Sequence, residues 1–498
     1  MVSVVPPTLL LDASPLQFAI GAFVATIITY KLLFPSPAPH EAYAMKHGLT
    51  NIKLAKRLPQ TRLLFGDLIE LSQNLTRFAD WIHEKNLEMH EQPWVPHVPS
   101  LPDTIIVTTP ELVEDVVKTQ NDIFGKGEFT RTIFRELVGN GFFNLEGDAW
   151  FHQRRIASKF FSPRMFRDVA TATCNKNAEM LYAVLEKSRG FHEPVNLTKH
   201  LHELAFQNIA QLSIGLKMDL IGSEHGHPLD HALHEALAQV FYRVQTPTWI
   251  WKTQRFLNSG GERKYRQVTI KIRRIVGEMV SKSLAQAQAH ARPGLRAEPT
   301  NIIELYIQAM ENDPTEGTAQ ITPDTLRDIV SMFVIAGSDT VADTLNWIFF
   351  MLSKHPRTLR LHPPGPLAMR QAERDTHLVD GTFFPKGATV GMLPYVMGRL
   401  RSIWGDDSLE FKPDRFIDAA TGRSRVVSPY AFFSFSAGPR VCIDKHLAML
   451  QMKLLIATLL SRFRLDMLPN DGSYKIAATM ILKNPLMACI HRVEALPQ

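Results

Sequence analysis

One cysteine stands in a loop whose composition suits a metal-binding thiolate. Residues 432–448 read FFSFSAGPRVCIDKHLA, in which Cys442 follows a segment rich in Ser, Gly and Pro and precedes an apolar helical pattern. A cysteine sulfur loses its proton when it coordinates a metal, and N–H groups at a helix start stabilise the negative charge. A lone cysteine is more often an inert core residue. The surroundings of Cys442 must therefore decide between ligand and core residue.

A second candidate group lies in the apolar stretch FVIAGSDTVADTLNW, which contains Ala336, Gly337, Asp339 and Thr340. Two small residues leave room beside a helix, a threonine hydroxyl can donate a hydrogen bond to a bound ligand, and an aspartate can relay protons. The alternative is that the hydroxyl group only bonds back to a carbonyl one helical turn earlier.

Several arginines are candidates for binding an anionic group. Trp150 and Arg154, in GDAWFHQRRIASKFFS, are four residues apart, so their indole N–H and guanidinium group share one helical face. Arg370 follows in PLAMRQAERD, and Arg440 lies two residues before the cysteine. Each arginine alone would more often be a surface charge, but buried carboxylates need several converging cations.

The loop around the cysteine resembles the haem-binding loop of the cytochrome P450 superfamily. Phe435, Gly438, Arg440 and Cys442 have the spacing F-x-x-G-x-R-x-C of that loop. The resemblance extends over nearly the whole chain. It implies a haem b whose iron is ligated by Cys442.

The resemblance also implies roles for the other candidates. Asp339 and Thr340 would be the catalytic residues that deliver protons while O2 is activated. NADPH would supply electrons indirectly, through an NADPH-cytochrome reductase. The implied cofactor-binding residues are Trp150, Arg154, Arg370, Arg440, Phe435, Gly438, Ala336 and Gly337.

Two segments, FGKGEFTRTIFRELVGNGFFNLEGDAWFHQRR and MGRLRSIWGDDSLEFKPDRF, look like fungal and plant members that hydroxylate fatty acids and long alkyl chains. We therefore expect an apolar small-molecule substrate. A tailoring oxidase that acts on a polyketide or terpenoid in fungal secondary metabolism is one alternative, and a truncated, inactive haem-binding relative is another. Candidate pocket walls, each of which could instead be ordinary core, are Phe142, Phe143, Ile335, Thr344, Pro366, Leu367, Met480 and Ile481.

Asp444 departs from the family pattern, which has glycine two residues after the cysteine. An aspartate suits a helix start because its carboxylate can accept hydrogen bonds from free N–H groups. Its negative charge beside the sulfur would disfavour adding an electron to the iron. We therefore expect a more negative iron potential.

A second departure is a missing glutamate. The family carries E-x-x-R before a segment like TLRLHPP, and its Glu-Arg pair contacts the arginine of F-x-P-x-R-F, which is Arg415 here. The matching positions in SKHPRTLRLHPP are Arg357 and Arg360. Arg360 follows Thr340 too closely for the intervening helices, which predicts an internal deletion near residues 353–358.

This departure predicts three arginines without a neutralising carboxylate. An uncompensated buried charge costs about 3–5 kcal/mol. The chain would then be a defective gene model, a splice form or the product of a decayed gene. Alternatively, the arginines turn to water and a shortened enzyme works.

Helical periodicity dominates beyond residue 60, and short strand-like pieces such as TIIVTT and ATVGML are few. The predicted fold is mainly α with a small β component, a cytochrome P450 fold with an N-terminal transmembrane helix. The predicted division is a lead at 1–14, a transmembrane anchor at 15–34, a linker at 35–60 and a haem-thiolate monooxygenase domain at 61–498.

The anchor is the stretch PLQFAIGAFVATIITYKLLF, since about 20 helical residues span a bilayer core of roughly 30 Å. A buried core helix is the alternative. Basic residues follow this stretch and none precedes it, so the positive-inside rule predicts a single-pass protein of the endoplasmic reticulum membrane with a cytosolic catalytic domain.

Charge, cysteine content and histidine spacing bear on the remaining classes of function. The formal charge of +6 comes from scattered basic residues, which argues against nucleic-acid binding and fits membrane lipid or an acidic partner. Three unpaired cysteines favour a reducing compartment. In HGHPLDHALHEAL, His227 and His231 are one turn apart and could hold zinc, although a polar helix start explains the segment more simply.

Overall fold

The computed structural model describes residues 39–59, 61, 66–98, 103–188, 193–290, 298–312, 322–354 and 360–493. The predicted lead and anchor lie outside these residues, as do residues 35–38 of the linker and Arg357. No helix within the described ranges is long and apolar enough to cross a bilayer. The prediction of a mainly helical domain with a small β component is confirmed.

The helices follow the amphipathic periodicity of the sequence. In chain order they are α1 (Pro39–Lys46), α2 (Leu68–Gln73), α3 (Phe78–Glu88), α4 (Pro110–Glu114), α5 (Glu128–Val138), α6 (Gly147–Phe160), α7 (Thr171–Ser188), α8 (Leu197–Ile214), α9 (Pro228–Gln245), α10 (Thr248–Phe256), α11 (Gly260–His290), α12 (Ile302–Asn312), α13 (Pro323–Gly337), α14 (Asp339–Lys354), α15 (Pro394–Met397), α16 (Arg401–Trp404) and α17 (Lys445–Leu460).

The strands are short and form a main sheet with three small ones. They are β1 (Lys56–Arg57), β2 (Trp94–Val95), β3 (Thr104–Val107), β4 (Phe124–Gly125), β5 (Val195–Asn196), β6 (Ala368–Ala372), β7 (Thr376–His377), β8 (Phe383–Phe384), β9 (Thr389–Met392), β10 (Phe463–Met467), β11 (Tyr474–Ile476), β12 (Met480–Leu482) and β13 (Met487–Arg492). The main sheet has the order β1-β2-β3-β9-β6-β4; β10-β13-β5, β11-β12 and β7-β8 are separate.

The core centres on α13 and α14, which pack against α8, while α17 packs against α7. The second half of α13, from Ile329 onwards, is apolar on nearly every side, and Ile329, Phe333 and Val334 are fully or almost fully buried in it. A helix with this composition must be surrounded by other elements. The stretch that carries the candidate residues 336–340 therefore crosses the middle of the molecule.

The sequence predicts one continuous helix from residue 325 to residue 354, but the structure divides it at Ser338. A Cβ on Gly337 would lie 2.7 Å from Cγ1 of Ile209, so glycine allows α13 to approach α8 this closely. The hydroxyl of Thr340 donates to the carbonyl of Ala336 at 2.6 Å. The break therefore falls within the small-residue group.

The cysteine loop consists of two 3-10 turns, Phe433–Phe435 and Gly438–Arg440, followed by α17. Gly438 has a φ of +69°, and a Cβ there would collide with the carbonyl oxygen of Val117. Only glycine fits this position without strain. The N–H of Cys442 then donates to the carbonyl of Phe435 at 2.9 Å, which fixes the cysteine relative to the first turn.

Candidate active site

The Cys442 side chain lines a recess. It is accessible to solvent, whereas Ala437, Asp444 and Leu447 around it are buried. Burial, followed by the charge of Asp444, raises the pKa of the thiol to about 11, while backbone N–H groups of Asp444 and Lys445 donate towards the sulfur and oppose the rise. This sulfur can still ligate a metal, because coordination removes the proton.

Asp444 stands at the N-cap position of α17, but its side chain accepts no capping hydrogen bond. The expectation that its carboxylate caps the helix is therefore wrong. The carboxyl group is buried, its Oδ1 has no hydrogen-bond partner, and burial raises its pKa to about 7. Burial thus favours the neutral form of Asp444 and opposes the negative charge expected beside the sulfur, while the more negative iron potential stays a prediction.

Three of the predicted anion-binding residues meet beside the cysteine. The guanidinium carbons of Arg440 and Arg154 lie 4.4 and 5.8 Å from the ring centroid of Trp150. Arg154 Nη2 donates at 2.5 Å to the carbonyl of Val441, the residue before Cys442. The structure thus brings the Trp-Arg pair of α6 together with the cysteine loop.

Arg370, on β6, belongs to the same group although the chain places it far from Trp150. It is 5% exposed, and its Nη1 donates at 3.0 Å to the carbonyl of its neighbour Met369. Burial, and then the positive charge of Arg440, lower the pKa of Arg370 to about 10. Within the described ranges, no carboxylate forms an ion pair with this buried guanidinium.

Lys126 is a further cation that the sequence analysis missed. Its Nζ lies 3.7 Å from the ring centroid of Phe143. Burial, with repulsion from Arg370 and Arg440, holds the pKa of Lys126 well below its ordinary value, and Glu146 opposes this shift. The only local signal was its position between two glycines in FGKG.

The positive charges of this cluster outnumber the negative ones. Glu146 forms an ion pair with Arg440 and also accepts a hydrogen bond from the backbone N–H of Lys126. The two carboxylates that act on the cluster, Glu146 and Glu373, cannot neutralise the four cations Arg154, Lys126, Arg370 and Arg440. A ligand with two carboxylates beside the Cys442 sulfur would balance the cluster, and haem has two propionates. The residues present therefore fit a haem.

The predicted catalytic pair is adjacent in sequence but has different surroundings. Thr340 is partly exposed, and Ala336 one turn earlier is exposed although Val334 and Gly337 are buried. This is the exposure expected of side chains that line an internal recess. The Thr340 hydroxyl makes the hydrogen bond back to Ala336 described above, and its part in proton delivery stays a prediction.

Asp339, by contrast, contacts histidines on two other helices. Its Oδ1 lies 3.4 Å from His234 Nε2 and 3.8 Å from His202 Nδ1. Burial alone would lower the pKa of His202, but Asp339 and Asp343 outweigh it and raise that pKa to about 10. The sequence analysis singled out the segment that holds His234 but missed His202 and both contacts with Asp339, because the two histidines lie more than a hundred residues before it.

Half of the eight candidate pocket walls are buried and half are partly buried. The Phe142 ring packs edge-on against Phe333 with centroids 5.7 Å apart, and Phe143 packs against Phe134 at 5.2 Å. Met480 is fully buried in β12, as ordinary core would be. Thr344 and Pro366 are also buried, while Ile335, Leu367 and Ile481 are partly buried.

Arg360 is buried among backbone carbonyls. Its Nη2 donates to the carbonyl of Glu410 at 2.7 Å, and its Nη1 donates to the carbonyls of Gly398 and Ser408. Burial, followed by repulsion from Arg415 and another arginine, lowers its pKa to about 10. Within the described ranges, Arg360 has no carboxylate in ion-pair contact, as the missing glutamate predicts.

Asp407 partly replaces the missing glutamate as an ion-pair partner of Arg415. Its Nη2 donates to Asp407 Oδ1 at 2.9 Å, and its Nε is buried without a hydrogen-bond partner. Hydrogen bonds from Lys412 and then Arg415 lower the pKa of Asp407 to about 2. The expected cluster of like charges is thus partly compensated on the side of Arg415.

Comparisons with known proteins identify the family that the chain resembles. The family model described as "Cytochrome P450" matches residues 57–359 and 357–490. Cytochrome P450 94B3 of Arabidopsis thaliana is 30% identical over 500 residues, covering 92% of this chain and 93% of its own length. Cytochrome P450 94A2 of Vicia sativa is 27% identical, covering 82% and 85%.

A further relative, cytochrome P450 86B1 of Arabidopsis thaliana, is 28% identical and covers 77% of this chain and 76% of its own length. The crystal structure of the cytochrome P450DA heme domain superimposes with a TM-score of 0.73 at 19% identity, covering 89% of this chain and 98% of that chain. This likeness shows the fold. Together with the cysteine loop and the family match, these findings show that the chain belongs to the cytochrome P450 family of monooxygenase oxidoreductases.

Proposed function

We propose that the protein hydroxylates a fatty acid or another substrate with a long alkyl chain. One atom of O2 enters a C–H bond and the other leaves as water, with two electrons from NADPH, passed through a reductase, and two protons in all. A haem held by Cys442 and the cationic cluster would supply the dioxygen chemistry. The apolar candidate walls at Phe142, Phe143 and Leu367 support an apolar substrate.

The observation that carries the proposal is the accessible Cys442 beside an excess of buried cations. The purified protein, reduced and exposed to carbon monoxide, should show the red-shifted Soret band of an iron-thiolate bond. Cys442→Ser should lose that band. An unshifted band in the parent protein would contradict the haem-thiolate assignment.

The substrate class needs a separate experiment. With a reductase, NADPH and lauric or oleic acid, mass spectrometry should detect a product with one added oxygen. A matched incubation with a terpenoid or polyketide tests the tailoring alternative. Conversion of only those compounds would overturn the fatty-acid proposal.

An inactive, truncated relative is the second candidate, and the buried Arg360 without a carboxylate favours it. The two segments that match the family model meet at residues 357–359, where the sequence predicts the deletion. A comparison of transcript and genome tests this candidate. An in-frame exon encoding a segment with E-x-x-R would support a defective gene model, whereas its absence would favour a shortened enzyme.

Membrane attachment through residues 15–34, in the endoplasmic reticulum and with a cytosolic domain, is part of the proposal. Besides that apolar stretch, α10 exposes Trp249 and Phe256, which are 62% and 87% accessible and two turns apart on one face. Such a face suits contact with lipid. In microsomes, the full chain should resist carbonate extraction and remain open to added protease, and deletion of residues 1–34 should release it into the extract.

A further inference from the structure

Three side chains of types that commonly bind metals come together from three different helices. His202 lies on α8, His234 lies on α9, and Asp339 is the first residue of α14. Their ligand atoms all lie within 4.8 Å of one another. A tetrahedral zinc ion with bonds of about 2.0–2.2 Å separates its ligand atoms by roughly 3.3–3.6 Å. The 3.4 Å and 3.8 Å distances from Asp339 Oδ1 are close to that range.

The opposite nitrogen of each imidazole ring is already held. His234 Nδ1 donates to the carbonyl of Asp230 at 2.9 Å, and His202 Nε2 lies 3.3 Å from Asp343 Oδ1. Histidines that bind metals almost always donate their other N–H to a carbonyl or carboxylate in this way. In the neutral rings, His234 Nε2 and His202 Nδ1 carry lone pairs near Asp339, and a bound metal would displace the proton that His202 otherwise holds beside the two carboxylates.

Two details strengthen this arrangement. Nδ1 of His202 is buried and has no hydrogen-bond partner, which is costly for a polar atom unless something binds it. Asp343, which orients His202, is itself fixed by Thr479, whose hydroxyl donates to its Oδ2 at 2.6 Å. The carboxylates of Asp339 and Asp343 together would balance a divalent cation.

An ion can reach these atoms from solvent. The side chains border an open recess of about 240 Å³, and the His234 side chain is 44% exposed. The recess leaves room for a water molecule as fourth ligand, the arrangement of zinc sites with three protein ligands. Lys475 and Lys483 also line the recess, so its walls are not uniformly acidic.

We propose that His202, His234 and Asp339 bind a Zn²⁺ ion, with water from the recess as the fourth ligand. Two imidazole nitrogens and one carboxylate oxygen form a donor set that suits zinc. The bound ion joins α8 and α9 to the start of α14, next to Thr340. The pair suggested by sequence spacing, His227 and His231, is a different one. In that pair, His227 Nδ1 already accepts a hydrogen bond from the N–H of Leu229 at 3.1 Å.

The test uses the haem-loaded full chain, first dialysed against a chelator and then given zinc alone. We expect one retained zinc ion per haem iron by elemental mass spectrometry, and X-ray absorption at the zinc edge with imidazole scattering from two histidines. His234→Gln should lower zinc affinity at least about 100-fold. His231→Gln, on the same helix and exposed, is the matched control and should retain zinc.

His202→Gln provides a second route to the same site. Zinc retained equally by His234→Gln and His202→Gln would overturn the proposal. So would a parent protein that retains no stoichiometric zinc, in which case the cluster is an ion-pair network only. Neither result depends on substrate turnover, and the carbon monoxide spectrum of each variant reports separately on the haem site.

Discussion

At the scale of single residues, Arg370 shows how a site can be recognised from an imbalance of charge. Its guanidinium group is almost fully buried beside Arg440 and Lys126, and Glu146 opposes their repulsion, together with Glu373 at Arg440. Burying cations in this way is unfavourable unless an anion joins them. The same three cations thus lower the stability of the protein alone and favour a dianionic cofactor.

Replacing Arg370 with methionine should therefore weaken haem binding. A hydrogen bond to a charged group contributes about 1.5–3 kcal/mol, so haem should dissociate about 10–100 times faster. Transfer of haem to apomyoglobin measures this rate. Arg374→Met removes an exposed arginine paired with Asp122 and should leave the rate unchanged. Equal rates for both variants would remove Arg370 from the cofactor site.

Thr340 can be tested by separating catalysis from helix stability. Valine keeps the shape of the side chain but loses the hydroxyl group and its bond to Ala336. If the hydroxyl group takes part in proton delivery, Thr340→Val should form product about 100-fold more slowly while NADPH oxidation continues. Ser353→Ala removes a similar back-bonded hydroxyl from the same helix and should turn over normally. Unchanged product formation in Thr340→Val would leave the threonine with a structural role only.

At the scale of elements, the sequence predicts what depends on local patterns. The helical periodicity identifies α7 and α11, a long apolar run identifies α17, and the FxxGxRxC spacing identifies the turn at Gly438. Lys126 and His202 were missed because their partners lie far away in the chain, and no spacing records such a contact. The break at Ser338 was missed because it lies where α8 approaches Gly337 closely. Such a contact between helices leaves no trace in local helix propensity.

A buried hydrogen bond between a histidine and an aspartate attaches α1 to the edge of β3. His40 Nδ1 lies 2.8 Å from Asp103 Oδ2, and both side chains are nearly inaccessible. Burial alone would raise the pKa of Asp103, but hydrogen bonds from His40 and His97 outweigh it and hold that pKa well below its ordinary value. The carboxylate form is therefore favoured in the folded protein.

This depressed pKa predicts a pH-dependent stability. The contribution of Asp103 is complete above its unfolded pKa of about 4 and is lost as pH falls through the lower folded value. Asp103→Asn should lower the thermal midpoint by a constant amount from neutral pH to about pH 5, and by less below about pH 4. Asp375→Asn, which removes an exposed partner of Tyr43, is the control. A difference that persists undiminished in acid would exclude the Asp103 carboxylate as its cause.

At the scale of the whole molecule, the family pattern predicted both the fold and a buried Arg360 without a glutamate partner. The domain forms its core and presents Cys442 and the cationic cluster without the E-x-x-R glutamate. Arg360 still occupies a buried position, where backbone carbonyls of Gly398, Ser408 and Glu410 accept its hydrogen bonds. Sequence reasoning expected this imbalance but could not foresee that Asp407 would compensate Arg415, because that contact depends on the fold of the loop after α16.

The missing carboxylate can be restored at one position. Arg357 stands three residues before Arg360, so Arg357→Glu recreates the E-x-x-R spacing. A buried charge without a partner costs up to about 3–5 kcal/mol. With the carboxylate supplied, the variant should have a higher thermal midpoint and a larger haem-loaded fraction than the parent. Scanning calorimetry and the ratio of haem to protein absorbance measure the two effects.

Arg357→Gln separates the two causes of any gain. Glutamine removes one positive charge without supplying a carboxylate, so it should recover less stability than glutamate if Arg360 needs an anionic partner. Equal gains from both variants would mean that repulsion from Arg357, rather than the lost glutamate, limits the protein. If only Arg357→Glu raises the thermal midpoint and the haem-loaded fraction, the missing ion pair is the cause of the lower stability. The restored carboxylate would then neutralise Arg360 and accept a hydrogen bond from the unpaired Nε of Arg415.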